Sequence, residues 1–85
     1  MDVVTEAGVR EVLRDHARLR VDVDTLSSHA DLFQAGMSSH ASVNVMLALE
    51  DRFDTEFPDQ MLKRSVFETI AAIVSAMCEF RVEAA

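Results

Sequence analysis

Two glycines and a single proline leave this chain few places to turn sharply. An all-β domain of this size needs a turn about every ten residues, and it draws on tryptophan and tyrosine, which are both absent. The chain is therefore expected to fold through helices. Its 85 residues suit one domain spanning 1–85, with a core over about 4–80. A chain this short buries only about 60–65% of the surface its unfolded form exposes. It has no room for a deep active-site cavity between two layers. A hydrophobic share of 49% excludes a disordered tail.

Apolar spacing places the helices. Val9, Val12, Leu13 and His16 or Ala17 recur at i, i+3, i+4, i+7, which predicts a first helix over 4–19. Gly8 weakens it by about 1 kcal/mol relative to alanine. Residues 20–38 lose the helical period. A loop of this length is usually functional or packed by its own side chains, so Val21, Leu26, Leu32 and Phe33 are expected to fold back as core anchors. Val43, Met46, Leu47, Glu50 and Phe53 predict a second helix over 39–53. Ser38 is its expected N-cap, because a serine hydroxyl accepts one of the unpaired amide hydrogens of the first turn. Pro58 suits the start of a short helical turn over 59–63. Ser65-Val66-Phe67-Glu68 has the form of a capping box. It predicts a last helix over 65–80 with Phe67, Ile70, Val74, Met77 and Cys78 on its inner face. The expected fold is all-α, with three main helices and one short one.

Charge narrows the function. Fifteen acids against eight bases give a net charge of −7, which argues against a nucleic-acid binder. The longest apolar runs, 45–49 and 70–74, are too short to span a membrane. The start of the chain is acidic and lacks an apolar signal core, so no secretory signal is expected. Cys78 has no partner for an internal disulfide, and a cytoplasmic, reducing setting is the simplest. His16, His29 and His40 share no metal-ligand spacing. Asp22 and Asp24 resemble the start of a calcium loop, but the glycine and terminal glutamate it needs are missing.

The informative segment is DLFQAGMSSHASVNVMLALEDRFDTEFPD, residues 31–59. A loop closes at Gly36, and serine hydroxyls then stand at the mouth of a helix. The exposed amides and positive dipole end there favour an anionic group such as a phosphate ester. On its own, without the pattern downstream, Ser39 reads better as a helix cap, and Ser42 reads as a solvated helix residue.

This segment resembles the acyl carrier protein family, including its peptidyl carrier domains. The family pattern is D-L/F-x-x-x-G-x-D/H-S-L, then a helix closing with L-E-x-x-F-x-x-x-x-P-D. Gly36 lies three residues before Ser39, and Leu49, Glu50, Phe53, Pro58 and Asp59 follow it by 10, 11, 14, 19 and 20. The resemblance covers about 31–77. It implies a small acyl-carrier-protein-like bundle without catalysis of its own. It also implies a 4′-phosphopantetheine esterified to Ser39 by a phosphopantetheinyl transferase using coenzyme A, with an acyl group held as a thioester on its thiol. Ser38 stands where the family has an acid or histidine and His40 where it has leucine, so Ser38 competes for the attachment; the downstream spacing favours Ser39.

The runs AGMSSHASV and FDTEFPD are most similar to stand-alone bacterial aminoacyl carrier proteins. That resemblance implies loading by an amino acid:carrier-protein ligase related to class II seryl-tRNA synthetases, a small cargo such as glycine or alanine, and a downstream acyl-accepting enzyme. The alternatives are a carrier for fatty-acid, polyketide or nonribosomal peptide synthesis, and an unmodified helical adaptor. The expected partner face holds His40, Val43, Asn44, Leu47, Glu50, Met61 and Arg64. Residues 38–49 carry no formal charge, so contacts near the arm should be apolar or neutral, with the acids of 50–59 steering from the far end. The charged surface gives no reason to expect more than a monomer.

Overall fold

The computed structural model describes residues 4–58 and 61–84, with side chains through residue 79. Three α-helices carry the fold: α1 (Glu6–His16), α2 (Ser39–Phe53) and α3 (Ile70–Ala84). Short 3₁₀ turns at Val23–Thr25 and Arg64–Val66 lie in the connections. No strand occurs among the described residues. In the connection after α2, the Met61 amide donates to the Pro58 carbonyl over 2.8 Å. The short helical turn expected over 59–63 does not extend to Leu62 and Lys63, which are not helical, and its start falls on Asp59 and Gln60, which lie outside the described residues.

Helix α1 is shorter than its apolar spacing predicts. Thr5 caps it, its hydroxyl accepting from the Gly8 amide at 3.0 Å. The chain leaves the helix after Ala17, because Arg18 takes a left-handed φ of 56°. Gly8 faces α2. A Cβ there would stand 2.9 Å from Phe53 Cζ and 3.2 Å from Thr5 Oγ1. The glycine therefore costs helix propensity and permits close contact between the two helices. Because Phe53 is buried and cannot withdraw, Gly8→Ala should lower the urea midpoint despite alanine's gain of about 1 kcal/mol in propensity. A raised midpoint would show that the contact has slack.

The core forms along three inner stripes. Helix α1 contributes Val9, Val12 and Leu13, α2 contributes Ala41, Val45, Leu49 and Phe53, and α3 contributes Ile70, Ile73 and Met77. Val43 and Leu47 are about half exposed, at 49% and 53%; the inward stripe of α2 runs i, i+4 from Ala41. Two expectations about α3 fail. Cys78 is exposed. It stands one residue, about 100° of helix, beyond the buried Met77. Ile73, one turn after Ile70, takes the inner position that the sequence pattern gave to Val74, which is only partly buried.

The last helix also starts later than predicted. Ser65 lies in the Arg64–Val66 turn and forms no capping box. Thr69 is the cap, its hydroxyl accepting from the Ala72 amide at 3.0 Å. The Glu68 carbonyl is taken by the Leu32 amide across the fold, at 2.7 Å.

That bond belongs to the set that orders the long connection. Leu32 is fully buried, and Leu26 and Phe33 pack on the core as expected. Val21 does not; it is 48% exposed, and Val23 is buried in its place. The cause is the turn at Val23–Thr25, capped by Asp22, whose carboxylate accepts from the Asp24 amide at 2.9 Å. Arg10 fixes that turn to α1 by donating to the Val23 carbonyl at 2.6 Å. Asp31 shapes the next bend, accepting from the amides of Phe33 at 2.9 Å and Gln34 at 3.2 Å. The Met37 amide then returns to the Leu32 carbonyl at 3.0 Å. Gly36 between them has φ 120°, which side-chain-bearing residues avoid.

Candidate functional site

The loop closed at Gly36 delivers two consecutive serines to the start of α2, and they do different things. Ser38 is the N-cap: its backbone is extended, and its hydroxyl accepts from the Ala41 amide at 3.0 Å. Ser39 is the first helical residue and is exposed. Its carbonyl accepts from the Ser42 hydroxyl at 2.6 Å, but its own hydroxyl has no partner among the described residues. No acid occurs in the first turn of α2, so nothing there opposes an anionic substituent at the positive end of a 15-residue helix.

Beside Ser39 opens a groove of about 490 Å³. Its apolar walls are Phe33 from the long connection, Val43 and Met46 from α2, and Leu62 and Phe67 from the connection to α3. Lys63 and Arg64 stand at its edge. The Arg64 guanidinium lies 3.9 Å from the centre of the Phe33 ring. Phe67 is itself held by Phe57, with ring centroids 5.3 Å apart.

The residues expected on a partner face divide into two groups. Ser39, Val43 and Leu47 form one exposed stripe at i, i+4, i+8, with His40 and Asn44 exposed beside it. Arg64 lies across the groove from this stripe. Met61 is half-buried against the core. Glu50 is half-buried too, and its carboxylate accepts from the Phe57 amide at 2.8 Å, while its carbonyl accepts from the Thr55 amide at 3.0 Å. Glu50 therefore clamps the chain where it leaves α2. Sequence reasoning missed Phe33, Met46, Leu62, Lys63 and Phe67 as groove residues. Met46 was within reach, one turn beyond Val43 and two beyond Ser39. The other four come from connections, where no helical period points inward. Among the described residues, no three of His, Cys, Asp and Glu gather as a metal site, and no helix is long and apolar enough to cross a membrane.

Residues 8–77 match the protein family described as "Phosphopantetheine attachment site". The chain is 49% identical, over 67 residues, to an aminoacyl carrier protein of Agrobacterium fabrum (strain C58), covering 79% of this chain and 81% of that one. The chain belongs to the phosphopantetheine-attachment family, in its aminoacyl carrier branch.

Solved structures agree with this. The fold matches a chain in the crystal structure of an engineered Bradyrhizobium japonicum glycine:[carrier protein] ligase complexed with a carrier protein from Agrobacterium tumefaciens and AMP. The TM-score is 0.85 at 44% identity, with 87% of this chain and 99% of that chain covered. It also matches the solution structure of ATC2521 from Agrobacterium tumefaciens, with a TM-score of 0.74 at 43% identity over 95% of this chain and all of the other. Membership makes this a carrier protein and not a catalyst, and it implies a covalently attached phosphopantetheine.

Proposed function

We propose that Ser39 carries the prosthetic group, as a 4′-phosphopantetheine supplied from coenzyme A by a separate transferase. One observation supports this most: Ser38 takes the capping role, which leaves the Ser39 hydroxyl exposed and unbonded on the same turn. The surroundings fit the group. A phosphodiester at Ser39 meets helix amides, no neighbouring acid in the first turn, and two cations at the edge of an apolar groove. When bound, the group supplies a thiol on a long arm that holds an acyl group as a thioester.

The cargo is a small aminoacyl group such as glycine. A glycine:[carrier protein] ligase complexed with a carrier is the setting of a close structural match, and an amino acid:carrier-protein ligase is accordingly the partner that charges this chain. A downstream acyl-accepting enzyme receives the cargo. The domain, residues 1–85, works as a cytoplasmic monomer that raises the effective concentration of its cargo at each enzyme. Incubation with coenzyme A and a broad-specificity transferase tests the attachment by mass. Supplying the loaded protein with ligase, ATP and single amino acids then reads out the cargo. An unmodified adaptor would gain no arm, and a fatty-acid or peptidyl carrier would gain one that the ligase leaves uncharged.

The exposed stripe of α2 should dominate docking. Val43→Asp and Leu47→Asp should each slow ligase charging by about tenfold or more, because docking would bury an unpaired carboxylate where an apolar side chain stood. Asp51→Lys should change charging less than about threefold and act mainly through salt dependence. Charging rates at two ionic strengths, with circular dichroism to confirm folding, check this. The reverse ranking would move the interface to the acidic end of α2.

A further inference from the structure

We propose that Arg20, Lys63 and Arg64 form a cationic rim beside Ser39, and that the ligase charging the arm meets this rim with an acidic surface. The inference rests on Ser39 as the attachment point and specifies the chemistry of the partner's face.

The charges of this acidic chain are segregated. Residues 32–49 carry no formal charge, and acids return only from Glu50 onward. Arg10 pairs with Glu6, Arg14 with Asp24 and Arg52 with Glu11. Arg18, Arg20, Lys63 and Arg64 have no acid within ion-pair distance among the described residues. Of these, Arg20, Lys63 and Arg64 stand beside the entry to α2. The Arg20 amide donates to the Ala35 carbonyl at 2.9 Å. Its stem crosses Gly36, where a Cβ would stand 2.9 Å from Arg20 Cγ. Gly36 precedes Ser39 by three residues, at most about 11 Å of chain. Lys63 and Arg64 border the groove that Ser39 lines. The start of α2 adds positive potential of the same sign.

An enzyme that takes the arm into its active site must close on the residue from which the arm leaves. All three cations are exposed, so docking there strips water from them. That loss is costly unless carboxylates face them across the interface. The phosphodiester adds one negative charge, which answers one cation and leaves two. Steering acts at a distance and needs no rigid geometry, so exposed side chains suffice. The acids of 50–59, at the far end of α2, repel the same surface. The two ends together orient the carrier with Ser39 foremost. The expectation of neutral contacts near the arm was read from α2 alone; the cations come from the connections before and after it.

The test installs the arm by transferase and checks it by mass. Calorimetry then measures ligase binding, and charging assays give KM and kcat, each at low and high salt. Lys63→Glu with Arg64→Glu should weaken binding and raise KM at least about tenfold at low salt, with kcat within about twofold. Arg20→Glu should act in the same direction by about threefold or more, with circular dichroism to confirm that its turn against Gly36 stays folded. High salt should shrink both gaps. Arg52→Glu makes the same change in net charge as Arg20→Glu, in the last turn of α2, and should stay within about twofold. Unchanged or tighter binding in the double variant overturns the rim, since a basic partner face would gain from it. A loss that salt leaves untouched overturns it too, because shape and not charge would be responsible. Slower arm transfer with unchanged ligase binding overturns it by assigning the cations to the transferase. A parent that bears the arm and does not bind the ligase also overturns it. Absence of any arm by mass removes the attachment reading itself, and the rim with it.

Discussion

Ser39→Ala should gain no mass when incubated with coenzyme A and a transferase, while Ser38→Ala should gain one full arm. The two serines are adjacent, and the contrast follows from their different bonds. Ser38 gives its hydroxyl to the Ala41 amide, and Ser39 gives its own to nothing among the described residues. Stability should separate them in the opposite sense. Losing the cap in Ser38→Ala should cost about 0.5–2 kcal/mol, which lowers the melting temperature of a domain this size by about 4–8 °C per kcal/mol. Ser39→Ala changes an exposed first-turn residue and should stay within about 0.5 kcal/mol of the parent. One variant thus loses the modification and keeps its stability, and the other does the reverse. Mass spectrometry and thermal melts read both halves. A mass increase on Ser39→Ala would place the arm elsewhere.

Leu49→Ala should destabilise the fold by about 2–5 kcal/mol. Leu49 is fully buried at the centre of the inner stripe of α2. A domain of 85 residues has a total stability of about 4–13 kcal/mol on the usual per-residue scale, so this one truncation removes a large share. Leu47, two residues away and 53% exposed, provides the control: Leu47→Ala should shift stability by no more than about 0.5 kcal/mol, and its effect should appear in ligase charging. Urea unfolding of the two variants makes the comparison. Similar losses from both would mean that α2 is rotated relative to the packing described above.

The contrast between Leu47 and Leu49 also shows how far the sequence could be read. The limits of α2 and its cap were legible, because Ser38, the apolar period and the change of pattern after Phe53 are local signals. The inward face was not, because 43–50 is so rich in apolar residues that two stripes compete, and only packing against α1 decides between them. The capping-box pattern at Ser65 failed for a nonlocal reason. The Glu68 carbonyl, which a helix starting there would offer to Ala72, bonds the Leu32 amide instead, and Thr69 takes Ala72. Val21 and Val23 are equivalent by hydropathy; Asp22 and Arg10 set which one turns inward. For the site, Ser39 was legible from its spacing to Gly36, Glu50 and Pro58. The groove was not, since most of it is assembled from connections distant in sequence. Glu50 fitted the family pattern, yet its bond to the Phe57 amide shows an internal role that the pattern alone does not reveal.

The outward position of Cys78 has a chemical consequence. A carrier's working sulfur belongs to its prosthetic group, and this chain adds one of its own at the surface of α3. The form that bears the arm without cargo therefore offers two sulfhydryls to an alkylating reagent and the form without the arm one, so only a Cys78→Ser background lets such a reagent count arms.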